Sequence, residues 1–265
     1  MKKDKFYIVS VLFVLVLSLA SLACGVSSIS NLFATATPTP THTSTPMPTF
    51  TPSPTATSTS TPTPTATPLP TGVSLEILPD ARSLFVDYDN KYKVVLPKDW
   101  VVLPVDKEKL NTILEKLAEE QPDLADAAKA FQELDSDVVR MVALNGNREY
   151  FVNGYAANIN IAVMEDAMLS AMPISFVSGV LEESLKQQGF SVLTNGVNPV
   201  DNENGVEMEY IDVERSLSGK RVSQRIMIFQ NNKKLIMITA TTVSQFRDVI
   251  FQSLNEIGAT LEVFK

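Results

Sequence analysis

Nucleophilic, acid–base and zinc chemistry draw on histidine, cysteine and paired carboxylates. This 265-residue chain has one histidine and one cysteine. His42 lies in a Thr/Pro tract and Cys24 lies earlier still, so from Val73 onward there is neither. That removes Ser-His-Asp, Cys-His and histidine-rich zinc sites from the C-terminal part. Carboxylates remain. Asp87-Tyr88-Asp89-Asn90 and Asp201-Asn202-Glu203-Asn204 crowd oxygen ligands as a calcium loop would, or else are turns with solvated acids. Neither has the spacing of an EF-hand loop. Glu182-Glu183 reads as the outward face of a helix. Gly196 and Gly205 fit no phosphate loop, and Ser218-Gly219-Lys220 lacks the upstream glycine and the strand-to-helix setting of one. No catalytic residue, metal ligand or cofactor is assigned.

Aromatic side chains are the other candidates, because they carry much of the binding energy at interfaces. Trp100 follows Pro97 at a strand end, where it either lines a cleft or closes the core. Tyr150, Phe151 and Tyr155 flank Asn153-Gly154, which is either a tight turn or the edge of a recognition surface. Trp100, Tyr150 and Tyr155 are therefore the candidate binding residues.

The elements that position them alternate strands with helices. Ser83 to Tyr88 and Lys91 to Leu96 flank Asp89-Asn90, which tolerates positive φ, and predict a hairpin. Leu110, Ile113, Leu114 and Leu117 repeat at helical spacing, and Leu124, Ala127, Ala128, Phe131 and Leu134 repeat it beyond Pro122. Val138 to Leu144 and Ala157 to Met164 predict strands. In the second, Asn158-Ile159-Asn160-Ile161 alternates as a half-buried strand does, one face packed and one polar. Ser175 to Gln188 predicts a helix stopped by Gly189. Strands follow at Ser191 to Thr194, Val206 to Arg215, Arg221 to Phe229 and Lys234 to Ala240, with turns at Ser218-Gly219 and Asn231-Asn232. A helix carrying Phe246, Val249, Ile250, Leu254 and Ile257 ends at Gly258, and Thr260 to Phe264 adds a short strand.

Upstream, Lys2, Lys3 and Lys5 precede an uncharged stretch from Phe6 to Ala23. Eighteen helical residues span about 27 Å, slightly less than the ~30 Å hydrocarbon core. Ala20-Ser21-Leu22-Ala23-Cys24 resembles the lipobox of bacterial lipoproteins, with Ser21 where that family usually has Leu. An exported chain normally keeps cysteines in pairs, and Cys24 is the only one, placed just after the cleavage-like sequence. The resemblance implies a lipidated Cys24 at the mature N-terminus; an uncleaved anchor and soluble secretion are the other readings. From Gly25 to Gly72 there is no charge, and ten of the sixteen prolines fall there. Proline blocks helices and ladders and favours polyproline II, so this tract is a semi-rigid spacer reaching at most roughly 150 Å. The expected organisation is a signal peptide over 1–23, an anchor site and disordered spacer over 24–72, and a domain over 73–265, outside the cell membrane and tethered to it through Cys24.

Setting aside Lys2, Lys3, Asp4 and Lys5 leaves 19 basic and 29 acidic residues in the domain, a net charge of -10. Such a domain repels phosphate backbones, so no nucleic-acid partner is expected. The one basic cluster, Lys220, Arg221, Arg225, Lys233 and Lys234, decorates two adjacent strands. With Tyr92-Lys93-Val94-Val95-Leu96-Pro97 leading to Trp100, then Asn158-Ile159-Asn160-Ile161, then helix, meander and final helix, the chain from Tyr88 to Ile257 resembles the PsbP-like superfamily. That superfamily takes in the extrinsic photosystem subunit P, the Ran-binding Mog proteins and many bacterial lipoproteins. The helical insert from Asp106 to Asp135 is longer than a minimal member needs. The resemblance implies an α/β (α+β) fold, an α/β/α sandwich with a largely antiparallel central sheet, and a binding or assembly role toward a protein or envelope component. A carboxylate-dependent hydrolase and a small-ligand carrier are the alternatives.

Overall fold

In the computed structural model the described residues are 70–264, apart from 104–106, 130, 132–133, 135–136, 153–154, 167, 194–196 and 218. The leader, Cys24, His42 and nearly all of the spacer lie outside them, as do Asn153-Gly154 and Gly196. In chain order the elements are β1 (Val73–Ile77), β2 (Ser83–Asp87), β3 (Tyr92–Leu96), β4 (Trp100–Leu103), α1 (Lys107–Glu120), α2 (Pro122–Lys129), β5 (Val139–Asn145), β6 (Phe151–Val152), β7 (Tyr155–Ala156) and β8 (Asn158–Glu165). They continue with α3 (Ile174–Gln187), β9 (Ser191–Val192), β10 (Asn198–Pro199), β11 (Met208–Leu217), β12 (Lys220–Asn231), β13 (Lys234–Val243), α4 (Arg247–Thr260) and β14 (Glu262–Val263).

Turn chemistry and periodicity account for most of these. Pro122 opens α2 at the one helical position where its missing N–H costs nothing. Gly189 adopts φ +84°, which lets the Phe190 N–H reach back to Leu185 O at 3.1 Å and close α3. β12 turns into β13 through Asn232 and Lys233, both at positive φ, one residue later than the dipeptide Asn231-Asn232 predicts. Asn231 instead stays in the ladder opposite Lys234, and its amide donates to the Asn90 and Lys91 carbonyls.

The strands form an eight-stranded sheet in the order β10-β11-β12-β13-β8-β5-β4, with β9 also on the outer edge of β11. A second, four-stranded sheet runs β1-β2-β3-β14, and β6 and β7 make a short ribbon. Every pairing among the described residues is antiparallel. One face of the large sheet packs its Met141, Ile159, Ile161, Met227, Phe229 and Ile238 against α4 and the small sheet. The other face lies under α3 toward β11 and β12, and under α1 and α2 toward β4 and β5. The expected mixed α/β fold with a largely antiparallel sheet between helical layers is what forms; the second sheet was not expected from periodicity.

Three local expectations change. β4 is a strand that a four-residue stretch after Pro97 did not announce. β8 is no half-buried strand: it sits between β13 and β5, and Asn158 to Val163 are all buried. Gly258 does not end the last helix, which runs on to Thr260. A Cβ there would lie 2.9 Å from Met227 Sδ and 3.2 Å from Val200 Cγ1, so glycine serves the close approach of α4 to the sheet. Gly258→Val is expected to destabilise the fold by about 1–3 kcal/mol in urea unfolding, because both contacts would have to move.

Candidate functional site

The three aromatic candidates are not brought together on a surface. Trp100 points into the core shared by β3, β8 and α4 and is 3% exposed, so its indole packs rather than presents. Tyr155 is likewise buried, beside Val222 and Val243. Tyr150 ends a short 3-10 turn capped by the Asn147 side chain, and its ring stands edge-on to Phe246 with centroids 5.2 Å apart.

The two acidic loops are structural turns. Asp87 accepts from Arg140 Nε at 2.9 Å and from Asn90 N and Nδ2 at 3.1 and 2.7 Å, so a guanidinium stands where a calcium ion would. Asp89 accepts from Gly72 N and from Arg140, which together hold its pKa below the usual value. In the second loop Asn202 donates to Gly258 O and Leu261 O, and accepts from Asn204 N and Val206 N, tying the loop to the end of α4. Glu182 pairs with Lys186 one turn on, at 2.6 Å.

The groups that do converge lie on β11 and β12. β11 pairs with β12 from Leu217 opposite Lys220, which sets Asp212 opposite Arg225 and Glu214 opposite Ser223. Arg225 Nε and Nη2 each reach a carboxylate oxygen of Asp212 at 2.7 Å, and Nη1 reaches Asn255 Oδ1 of α4 at 2.7 Å. The guanidinium carbon sits 4.0 Å from the Tyr210 ring centroid and 4.9 Å from that of Phe251. Bidentate pairing and two aromatic faces leave this arginine one position. Around it Leu193, Arg247, Asp248, Gln252 and Asn255 complete a cavity of about 350 Å³. Two residues along, Glu214 accepts from Ser244 Oγ at 2.5 Å and from Ser223 Oγ at 3.1 Å, with Arg221 at 3.6 Å. The Ser244 hydrogen bond, then that of Ser223 and the charges of Arg221 and Arg247, holds the Glu214 carboxyl below its usual pKa of 4.5 against the opposing effect of burial.

The basic residues do lie on two adjacent strands, Lys220, Arg221 and Arg225 on β12 and Lys234 on β13, with Lys220 and Arg221 at the opposite end of the pair from Lys234. Arg225 is sealed by Asp212, and Lys234 donates to Asn90 Oδ1 at 2.8 Å. The pairing was within reach of sequence reasoning: a turn at Ser218-Gly219 fixes which residues of the two strands oppose each other, and Asp212 with Arg225 is one such pair.

Ser244→Ala is expected to raise the Glu214 pKa toward 4.5, followed by NMR titration. A depressed carboxylate contributes stability that is complete above 4.5 and lost as pH falls through its lower folded value. The variant should therefore be less stable at neutral pH, by about 0.5–1.5 kcal/mol, and should show a shallower decline on acidification.

No protein-family model matches the sequence, and no curated protein matches it. Solved structures do resemble it. The solution structure of cyanobacterial PsbP (CyanoP) from Synechocystis sp. PCC 6803 is 10% identical, covers 71% of this chain and 95% of its own, and superposes with a TM-score of 0.45. LpqN, described as involved in cell envelope biogenesis of Mycobacterium tuberculosis, is 12% identical over 73% of this chain and 91% of its own, with a TM-score of 0.44. The immunity protein TplEi of the Pseudomonas aeruginosa T6SS is 10% identical over 66% and 95%, with a TM-score of 0.34.

Proposed function

We propose that the chain is a membrane-tethered, extracytoplasmic binding module. In this reading residues 1–23 direct export, Cys24 carries the lipid, 24–72 form the spacer, and the domain from Val73 captures a protein or envelope component. One observation carries it: the carboxylates of β11, Asp212 at the cavity and Glu214 two residues along, are immobilised in closed ion pairs and hydroxyl bonds. Asp212 spends both oxygens on Arg225, and Glu214 is held ionised by two serines. A carboxylate-dependent hydrolase needs one carboxyl kept protonated beside an ionised one. Among the described residues, each carboxylate whose pKa moves is moved down: Asp80, Asp89 and Glu214. At the rim, Arg247 and Asp248 set both signs of charge beside Gln252 and the Phe251 ring, which suits a polar partner surface. Among the described residues no helix is long and apolar enough to cross a membrane.

The test uses the full chain in detergent, assayed for turnover of envelope glycans and peptides and for capture of envelope components. Capture without turnover is expected, weakened about fivefold or more by Asp248→Lys with Gln252→Ala at the cavity rim. Turnover abolished by a single Asp or Glu substitution, with folding unchanged, would establish the hydrolase instead.

A further inference from the structure

Where β5 ends, the chain turns on its own amides. Asn145 Oδ1 accepts from Asn147 N at 2.9 Å, and Asn147 Oδ1 accepts from Glu149 N at 3.0 Å. Asn145 N donates to Ala157 O between β7 and β8, and Gly146 N donates to Asp99 O ahead of β4, so the turn is held against two neighbouring segments. Beside it α2 begins at Pro122, which places Asp123 in the first turn of that helix. A cavity of about 140 Å³ lies between them, its lining drawn from the start of α2, from residues 145–148 and from Phe151.

Three polar groups of that lining are left unmet by the fold. Asn145 is only 5% exposed, and the surface it keeps is in the cavity it lines. Its oxygen is spent on the turn, which fixes the orientation of the amide. Asn145 Nδ2 then has no hydrogen-bond partner among the described residues, yet it is not sealed from a small molecule in the cavity. Arg148 and Asp123 are both exposed and line the same cavity with opposite charges. No ion pair joins them, and among the described residues neither the guanidinium nor the carboxylate has another polar partner. Leu124, which is buried, and Phe151, packed on the same cluster, supply the apolar part of the lining. A nearly buried side chain with an unspent donor is uncommon, and here it opens on a space that also holds an unpaired cation and an unpaired anion.

We propose that this cavity binds a small zwitterion, a free α-amino acid. The lining selects the class. An anion answers Arg148 but meets the Asp123 carboxylate as a like charge, and a cation meets Arg148 in the same way. An apolar guest takes both charges out of water without compensation. An α-amino acid carries both signs a few ångströms apart. Its carboxylate accepts from the Arg148 guanidinium and from Asn145 Nδ2, its ammonium donates to Asp123, and its side chain lies against Leu124 and Phe151. Size sets the limit: a cavity of roughly 150 Å³ holds one benzene, about six heavy atoms, and alanine has as many. The site shares no residue with the β11–β12–α4 cavity and does not depend on the partner surface proposed there.

The experiment is equilibrium dialysis and calorimetry of the full chain in detergent, with L-alanine and L-serine as probes and L-lactate and L-alaninamide as analogues that keep one charge each. Saturable binding of at least one amino acid is expected, with both analogues about tenfold or more weaker. Arg148→Gln and Asp123→Asn should each weaken the amino acid about tenfold or more. Both side chains are exposed, so the unfolding temperature should stay where it is and the loss should be one of binding alone. No saturable binding of either amino acid would overturn the proposal. So would lactate or alaninamide binding as tightly as alanine, or both folded variants binding as the unaltered chain does.

Discussion

Arg140→Ala is expected to destabilise the protein by about 3–5 kcal/mol in denaturant unfolding, the largest loss from any one side chain outside the apolar core. Asp87 is fully buried at the end of β2, and the guanidinium of Arg140 on β5 reaches it at 2.9 and 3.3 Å. The same group bridges to Asp89 at 2.8 Å, so one side chain ties the turn of the small sheet to the large sheet. Without it the Asn90 N–H and Nδ2 remain as donors to a carboxylate that is shut away from water and has lost its counter-charge. Tyr92 offers no positive charge in any protonation state, and burial, and then Asp87 itself, push its hydroxyl pKa well above the ordinary value, which keeps it neutral. Removing both partners, as in Asp87→Leu with Arg140→Met, is expected to cost less than removing Arg140 alone, because no buried charge is then stranded. Equal losses from the single and double variants would show that packing rather than charge sets the cost.

Cys24→Ser is expected to move the protein from the detergent phase to the aqueous phase and to abolish fatty-acid labelling. A lipoprotein cysteine bears acyl chains through its sulfur, and serine has no thiol to carry them. The effect should be near complete rather than graded. One chain gives marginal, reversible attachment, whereas two or more hold stably, so losing all of them changes the regime. Unchanged partitioning with an intact N-terminus would identify Phe6 to Ala23 as an uncleaved anchor.

The legible part of the fold was the part written in short-range pattern. The β2–β3 hairpin, the α1–α2 break at Pro122, the stop of α3 at Gly189 and the β11–β12–β13 meander all follow from turn residues and periodicity over ten or so positions. The candidate site was half legible. The observed register of β11 on β12, which pairs Asp212 with Arg225, is the one that a turn read from Ser218-Gly219 in the sequence requires. That Asn255 and Phe251 complete the enclosure of Arg225 depends on where α4 comes to rest, and the turn says nothing of that.

By itself the sequence determined the chemistry excluded from the domain, through the absence of histidine and cysteine beyond Val73, and the kind of element each segment forms, through periods of 2 and 3.6. Only the tertiary structure decided which faces are covered. Asn158 and Asn160 alternate with isoleucine as solvent-facing residues do, and they are buried because β13 and β5 flank them and the helices close over the sheet. Trp100 is core and Gly258 is a contact point for the same reason. Burial is a property of long-range assembly: a strand's own pattern encodes that its two faces differ, and neighbours brought from eighty residues away determine what each face meets.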